Sequence, residues 1–130
     1  MTVKETRLAA TRSQIYISSV NVISGTGKIV NIDGVGNRVA RKSFGQKKSL
    51  FFSWVKKITP ELESAIYRAR NVAAPLNSKH LKLKTPCAEK TDKCYGCKSP
   101  DRICCNILIF LHKSIGREYE VVLINESLGY

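Results

Sequence analysis

Polar and apolar residues alternate in the first third of the chain with the two-residue period of β-strands. Ile15 and Ile17 alternate with more polar neighbours, so Gln14–Ser19 is predicted to form a strand that continues extended over Val20–Ile23. Two glycines in the segment Ser24–Gly27 indicate a turn, because glycine readily adopts the positive φ angles of tight turns. Lys28–Asp33 then has the pattern of a returning strand. This part of the sequence therefore predicts a β-hairpin.

The middle of the chain carries a continuous apolar run and then a helical pattern. The run Ser49–Val55 predicts a strand buried on both faces, as in a parallel sheet. Residues 62–72 place apolar side chains on one helical face, with Thr59 as the expected N-cap and Pro60 in the first turn. Pro75 is expected to restart the chain before a second short helix.

The remaining segments complete the prediction of an α/β fold with a mixed sheet. A short helix is predicted over Arg38–Phe44, and Lys4–Ala10 has the pattern of the end of a helix. Ile107–His112 and Tyr119–Ile124 are predicted to be strands joined as a second hairpin. Because strands alternate with helices and the length suits one domain, residues 1–130 are predicted to form a single α/β domain.

The charge of the chain is strongly basic, with a net value of +12. Residues 38–57 hold many lysines and arginines and no acidic residue, as in segments that bind nucleic acid, an anionic cofactor or an acidic partner. Regularly spaced stacking aromatics are absent there, so a solvated lysine-rich face is the favoured interpretation. The sequence has no apolar run of membrane-spanning length and no signal-peptide pattern, which predicts a cytoplasmic protein without a membrane contact.

All five cysteines lie in one cysteine-rich loop, residues 85–105. Four of them have the spacing Cys-x6-Cys-x2-Cys-x6-Cys, and four thiolates can surround a tetrahedral metal ion. Zinc is the first expectation, and an iron–sulfur cluster the second, because the compact cluster-binding spacing is absent. A redox pair, or cysteines that only fill apolar space, are the alternatives. The predicted metal ligands are Cys87, Cys94, Cys97 and Cys104.

A glycine-containing loop after the predicted returning strand offers a different kind of site. Backbone N–H groups around Gly34 and Gly36 could hold an anion. Asp33 and Asn37 are the polar side chains best placed to line such a site, and Arg38 suits an anionic ligand. The loop is neither a P-loop nor the dinucleotide motif, so an ordinary turn is the competing interpretation.

Six segments along the chain stand out as a set, namely Ser19–Ile23, Asn31–Val39, Ala74–Lys79, Thr85–Cys87, Cys94–Cys104 and Leu128–Tyr130. In these segments and in their order, the chain resembles the LUD (lactate-utilisation) domain family over nearly its whole length. The resemblance implies a mixed α/β sheet similar to the NagB/RpiA/CoA-transferase group, which binds anionic metabolites. It also implies a place in the oxidation of L-lactate to pyruvate, together with iron–sulfur partner subunits. It brings no set of catalytic residues.

The chain departs from the family pattern at two places, and the resemblance together with the glycine loop also indicates a ligand site. Trp54 stands where the family tends to have glycine, and it is expected to fill or reshape a ligand pocket. Family members usually begin with a helix and a glycine-rich strand before the position of Met1, so we expect an N-terminally truncated domain with an incomplete sheet. The expected ligand-binding residues are Asn21, Asp33, Gly34, Gly36, Asn37 and Arg38.

The first hypothesis for function is therefore a domain that binds an anionic metabolite or a partner subunit and carries a cysteine-ligated metal. A second hypothesis is a small basic nucleic-acid-binding module with a structural zinc loop. A third is a truncated fragment without a function, and the sequence leaves open whether the chain is an enzyme.

Overall fold

The computed structural model describes all residues from Met1 to Tyr130. The α-helices are α1 (Val3–Ala10), α2 (Asn37–Ser43), α3 (Leu62–Arg68), α4 (Ala74–His80) and α5 (Pro86–Lys90). The strands are β1 (Ile15–Ser19), β2 (Val22–Ser24), β3 (Ile29–Asp33), β4 (Lys48–Trp54), β5 (Ile58–Thr59), β6 (Asn106–Phe110) and β7 (Glu118–Ile124). No helix has the length and apolar character that crossing a membrane requires.

The strands form two sheets that differ in direction. The first sheet has the order β1–β4–β7, and all its strands are parallel. The second has the order β5–β2–β3–β6, in which β3 runs antiparallel to β2 and β6 while β5 is parallel to β2. The combination of helices with parallel and antiparallel strands confirms the predicted α/β fold.

Two apolar clusters join the sheets and the helices into layers. Phe51 of β4 is fully buried, and its ring lies 5.9 Å from the ring of Phe110 in the second sheet. On the opposite face of the second sheet, Val30 packs with Ala65 and Ala69. The second sheet therefore lies between the first sheet and the helical layer.

The first predicted hairpin is confirmed around its turn, where β2 and β3 pair antiparallel, but Gln14–Ser19 is not part of it, and the second predicted hairpin is wrong. β1 is a strand as predicted, but it pairs in parallel with β4, and the antiparallel partner of β3 in the first hairpin is the short strand β2. β6 and β7 lie in different sheets, where they pair with β3 and β4. Asn21 lies between β1 and β2, where the chain passes from one sheet to the other. Its side-chain Oδ1 accepts a hydrogen bond from Ile32 N at 2.9 Å. Alternation locates strands, but it carries no information about which strands pair.

The helix predicted over residues 62–72 is longer than expected and begins differently. Helical structure runs from Leu62 to His80 because a π-helical turn, Ala69–Ala73, joins α3 to α4. Pro75 is the second residue of α4 and does not interrupt the helix. Proline lacks an N–H and crowds the carbonyl four residues before it, and the wider π turn accommodates this defect. The N-cap is Glu61 rather than Thr59.

One face of the first sheet is open. Ile15 and Ile17 of β1 are 55% and 63% exposed, and Leu50 and Phe52 beside them are only half-buried. Parallel sheets are normally covered on both faces. Because the strand order β1–β4–β7 advances in one direction, right-handed crossovers place both connections on the same face. The open apolar face follows from this order.

The basic stretch 38–57 forms the solvated face that the sequence favours only in part, because three of its seven basic side chains are buried. Arg41, Lys42 and Lys57 are 5%, 1% and 8% exposed. The Arg41 guanidinium donates to the main-chain oxygens of Thr11 and Ser13, which ties the segment after α1 to α2. The solvated-face interpretation is therefore wrong for these three side chains, which satisfy their charges through internal hydrogen bonds.

Candidate functional site

Asp33, at the end of β3, caps the next helix. Its Oδ2 accepts hydrogen bonds from the backbone N–H groups of Arg38 at 2.9 Å and Val39 at 3.2 Å. These are free donors at the start of α2, and a carboxylate there also complements the helix dipole. Gly36 precedes the helix with a φ of +91°, a conformation that favours glycine. Asp33 therefore positions the loop and α2, and its carboxylate is largely occupied by this role.

Gly34 allows a close approach between this loop and the cysteine-rich loop. A Cβ atom added at Gly34 would lie 3.0 Å from the main-chain oxygen of Ile103. That distance is shorter than a normal contact, so a larger residue would push the two loops apart. Gly34 and Ile103 both line the cleft that opens beside α2, and their contact helps to shape it.

A cleft of about 270 Å³ opens beside the loop. Gly36 is absent from its lining, although it was an expected ligand-binding residue. Two polar side chains that the sequence argument missed also line the cleft, Arg7 from α1 and Asn77 from α4. The other five expected residues all line it, namely Asn21, Asp33, Gly34, Asn37 and Arg38.

A second lobe of about 280 Å³ continues from this cleft. The two lobes share Asn21, Arg38, Ala73 and Asn77. The second lobe lies at the carboxyl ends of β1 and β4, which is where ligands bind in open α/β sheets. Its other lining residues are Ser19, Val20, Trp54, Lys57, Gly129 and Tyr130. The two lobes together are called the cleft below.

Arg38 lies at the junction of the two lobes and is the best-placed group for binding an anion. Its Nη2 donates to the main-chain oxygen of Ile32 at 3.0 Å, and its Nε lies 3.8 Å from Asp33 Oδ1. These contacts hold the guanidinium in place, while Nη1 makes no hydrogen bond within the protein. The side chain is 44% exposed, so a ligand can reach it. A guanidinium that is anchored on one side and free on the other suits a carboxylate.

Lys57 is a second cation, and it lines the second lobe. Its Nζ donates to the main-chain oxygen of Val20 at 3.1 Å and lies 4.7 Å from the centroid of the Trp54 ring. Burial lowers the pKa of Lys57, and the nearby charge of Arg68 lowers it further. An anion in the cleft would oppose both effects and stabilise the ammonium form. Trp54, which was expected to fill or reshape a ligand pocket, is one of the residues that line this lobe.

Three asparagine side chains add neutral hydrogen-bonding groups. Asn21 uses its Oδ1 to accept from Ile32 N, and its amide nitrogen makes no hydrogen bond within the protein. The side chains of Asn37 and Asn77 make none either, and both line the cleft. An amide both donates and accepts hydrogen bonds. The cleft therefore combines cations with groups that can bind a hydroxyl or carbonyl oxygen.

The sequence matches the model of the LUD domain family over residues 1–124. This chain belongs to the LUD domain family. The match confirms the resemblance found in the sequence and supports a lactate-utilisation-related domain. Comparison with curated proteins gives no match for this LUD domain, and comparison with solved structures gives none either.

The cysteines of this LUD domain do not come together as a metal site. No group of three or more histidine, cysteine, aspartate or glutamate side chains is arranged to hold a metal ion, and all five cysteines are free thiols. Cys87 belongs to α5, where its Sγ lies 3.3 Å from Thr85 Oγ1. Cys94 and Cys104 line a separate cavity of about 230 Å³, together with Cys105.

Arginines lie next to the sulfur atoms in this cavity. Arg102 Nε is 3.2 Å from Cys104 Sγ, and Arg70 Nη2 is 4.0 Å from Cys94 Sγ. A guanidinium beside a sulfur repels a second cation and occupies a direction that a metal would need. In this arrangement the four predicted ligands do not fit a tetrahedral zinc ion or an iron–sulfur cluster. Zinc binding and iron–sulfur cluster binding therefore remain predictions that rest on the cysteine spacing alone.

Thiol titration tests this arrangement. All five thiols are expected to react with a disulfide reagent in the native protein, and Cys105 is expected to react first because it is the exposed one. A chelator is expected to leave the rates unchanged. The measurement is the absorbance of the released thiol with and without chelator, with metal analysis of the same sample. A chelator-dependent rate, or about one equivalent of zinc per chain, would restore the metal-site prediction.

Proposed function

We propose that this LUD domain binds a small 2-hydroxy or 2-oxo carboxylate, of the lactate and pyruvate type, in the cleft. The observation that carries the proposal is the position of Arg38 at the junction of the two lobes, with its Nη1 unpaired. Asn21, whose amide nitrogen is unpaired, and Asn77, whose whole amide is unpaired, line both lobes beside it. A guanidinium can bind the carboxylate while an amide binds the neighbouring oxygen.

The charge of the cleft supports an anion, and its size admits a small one. Each lobe measures about 270 or 280 Å³, and the two together lie within the range of about 300–1,000 Å³ that is typical of ligand sites. Arg7, Arg38 and Lys57 contribute three positive charges, whereas the one side-chain carboxylate in the lining, Asp33, already caps α2. A cleft whose lining carries mostly charges of one sign attracts ligands of the opposite sign and raises their local concentration.

The chemistry of the lining supports binding rather than turnover by this chain alone. Neither lobe is lined by a histidine or a cysteine, and the one side-chain carboxylate accepts two backbone N–H groups. Lys57 is the remaining candidate for a general base because burial lowers its pKa, but its contacts with the Val20 carbonyl and the Trp54 ring favour the charged form. Oxidation of a 2-hydroxy acid also needs an electron acceptor, and we propose that iron–sulfur partner subunits supply it.

Calorimetric titration with L-lactate and pyruvate tests the proposal, with lactamide as an uncharged analogue of lactate. Both acids are expected to bind and lactamide is not. Arg38→Gln is expected to weaken acid binding about tenfold or more, because it removes a charge-assisted hydrogen bond. Arg12→Gln is the matched control, since Arg12 is exposed and lies outside both lobes. Equal binding of lactate and lactamide, or an unaffected Arg38→Gln variant, would contradict the proposal.

A further inference from the structure

The cavity of about 230 Å³ beside the cysteine-rich loop takes no part in the proposed function and is called the cysteine cavity below. Its charged side chains are those of Arg70 and Arg102, and no carboxylate lines it. The rest of its lining consists of three thiols, three isoleucines and one asparagine, namely Cys94, Cys104, Cys105, Ile32, Ile66, Ile107 and Asn106. The cavity therefore places thiols and two cations beside an apolar wall.

Arg102 is held against the sulfur atom of Cys104. Its Nη1 donates to the main-chain oxygen of Cys97 at 2.8 Å, and its Nε donates to the main-chain oxygen of Cys104 at 2.9 Å. These bonds fix the guanidinium, and the same Nε lies 3.2 Å from Cys104 Sγ. Nη2 makes no hydrogen bond within the protein, so Arg102 keeps a donor for an anion.

Arg70 reaches the cavity from the π-helical turn that follows α3. Its side chain is exposed, and its one hydrogen bond within the protein is a long contact of 4.0 Å from Nη2 to Cys94 Sγ. Because no carboxylate or carbonyl oxygen pairs with this guanidinium, it is available to a ligand.

The adjacent thiols of Cys104 and Cys105 differ in the groups that face them. The sulfur of Cys104 faces the Arg102 guanidinium, whereas Cys105 Sγ donates to the main-chain oxygen of Arg102 at 3.4 Å. A guanidinium stabilises negative charge on a sulfur atom, and a carbonyl oxygen opposes it. Cys105 is the more exposed of the two. Charge therefore favours reaction at Cys104, and access favours reaction at Cys105.

We propose that the cysteine cavity is a site of S-thiolation, at which Cys104 forms a mixed disulfide with a small thiol that carries a carboxylate. The donor is the symmetric disulfide of such a thiol. The Cys104 sulfur bonds to one sulfur of the donor, the donor's S–S bond breaks, and the departing thiol takes the proton that Cys104 loses. Arg70 and Arg102 bind the carboxylate and stabilise the negative charge that the sulfur atoms share during exchange. This proposal is independent of carboxylate binding in the cleft.

The test uses small disulfides of similar size and different charge: dithiodiglycolate is anionic, bis(2-hydroxyethyl) disulfide is neutral and cystamine is cationic. Mass spectrometry of the digested protein measures the rate of thiolation. Cys104 is followed in the Cys105→Ser variant and Cys105 in the Cys104→Ser variant, so that an adduct cannot pass between the adjacent thiols. The ratio of these two rates cancels the intrinsic reactivity of each reagent and the net charge of the chain.

The neutral disulfide is expected to react faster with the exposed Cys105 than with Cys104. Dithiodiglycolate is expected to raise the Cys104-to-Cys105 ratio about tenfold, and cystamine is expected to lower it. Arg70→Gln and Arg102→Gln should each bring the dithiodiglycolate ratio towards that of the neutral reagent. Arg12→Gln is the matched control, since Arg12 is exposed and lies outside the cavity.

Equal ratios for the three reagents, or no reaction of Cys104 in the native protein, would overturn the proposal. Arg102→Gln also removes contacts that hold the loop, and a loosened loop would raise the Cys104 rate with all three reagents alike. Arg70→Gln removes no other hydrogen bond. An unchanged dithiodiglycolate ratio in the Arg70→Gln variant would therefore show that the cavity does not select its disulfide by charge, which also overturns the proposal.

Discussion

Replacing Lys42 with methionine is expected to stabilise the domain by about 2 kcal/mol near pH 6, although it deletes hydrogen bonds. Lys42 is 1% exposed in α2, and its Nζ donates to the main-chain oxygen of Ser19 at 2.8 Å and to Asn31 Oδ1. Burial lowers the pKa of Lys42 to about 7, and Arg38 and Lys57 lower it while Asp33 opposes them.

The expected gain is the difference between two effects. A pKa reduced from 10.5 to about 7 corresponds to about 5 kcal/mol against the charged form. The variant leaves the acceptors at Ser19 and Asn31 without their donor, which costs about 1–3 kcal/mol. Methionine also fills the space beside the Phe51 ring, 5.7 Å from the present ammonium group, with a flexible apolar chain.

The sign of the pH dependence follows from the lowered pKa. The unfolded chain binds the Lys42 proton up to about pH 10.5, whereas the folded protein releases it near pH 7. Wild-type stability should therefore rise with pH through this window, and the penalty is fully present below pH 7. The methionine variant lacks this contribution, so its advantage should shrink as the pH rises.

Urea unfolding at several pH values, followed by Trp54 fluorescence, measures this difference. Lys4→Met is the control because Lys4 is exposed, and it should leave the midpoint nearly unchanged. Cysteine and tyrosine titrations are common to both proteins and cancel in the comparison. A constant difference between wild type and Lys42→Met from pH 6 to pH 10 would refute a lowered Lys42 pKa.

Arg117→Ala is expected to destabilise the domain by about 3 kcal/mol or more. Arg117 lies just before β7, is 8% exposed and joins that strand to α2 and β4. Its Nη1 donates to the Lys42 carbonyl at 2.7 Å, and its Nε donates to the Gln46 carbonyl at 3.0 Å. Its Nη2 donates to Gln46 Oε1 and Ser49 Oγ, both at 2.8 Å.

Alanine would leave three of these buried acceptors without donors, since the Lys42 carbonyl keeps the Tyr119 hydroxyl at 3.3 Å, and the guanidinium volume would become a cavity. The effect is a large share of the stability of a small domain, which is typically about 5–15 kcal/mol. Arg117→Lys should recover only part of the loss, because an ammonium group cannot reach four acceptors in a plane. The urea midpoint measures both variants, and Arg12→Ala is the exposed control. A midpoint shift no larger than that of Arg12→Ala would show that this network does not stabilise the fold.

The two largest effects involve residues that the sequence argument treated as surface charge or left aside. Lys42 stands in the basic stretch that favoured a solvated face, and Arg117 lies between the two strands of the second predicted hairpin. Neither position carries a local signal of burial. Each is buried because strands from distant parts of the chain close around it, and each then needs main-chain acceptors from other elements.

Local patterns were sufficient for most individual elements and for part of the site. The apolar run at Ser49–Val55 identified β4, and the apolar face over residues 62–72 identified α3 and the turn after it. The glycine loop identified Asp33 and Arg38 because turn, cap and charge signals lie within a few consecutive residues. The spacing of the cysteines identified a motif but not its geometry, since spacing does not fix where the sulfur atoms point.

Only the tertiary structure decided which strands pair and which side chains share the cleft. β1 was assigned to a hairpin by proximity in sequence, but it lies beside β4 because Phe51 and its neighbours bury apolar surface between the two sheets. Trp54, Lys57 and Tyr130 meet Arg38 at the carboxyl ends of β1 and β4 through the same packing. Short-range propensity acts within a turn or a strand, whereas these contacts depend on burial that joins residues far apart in the chain.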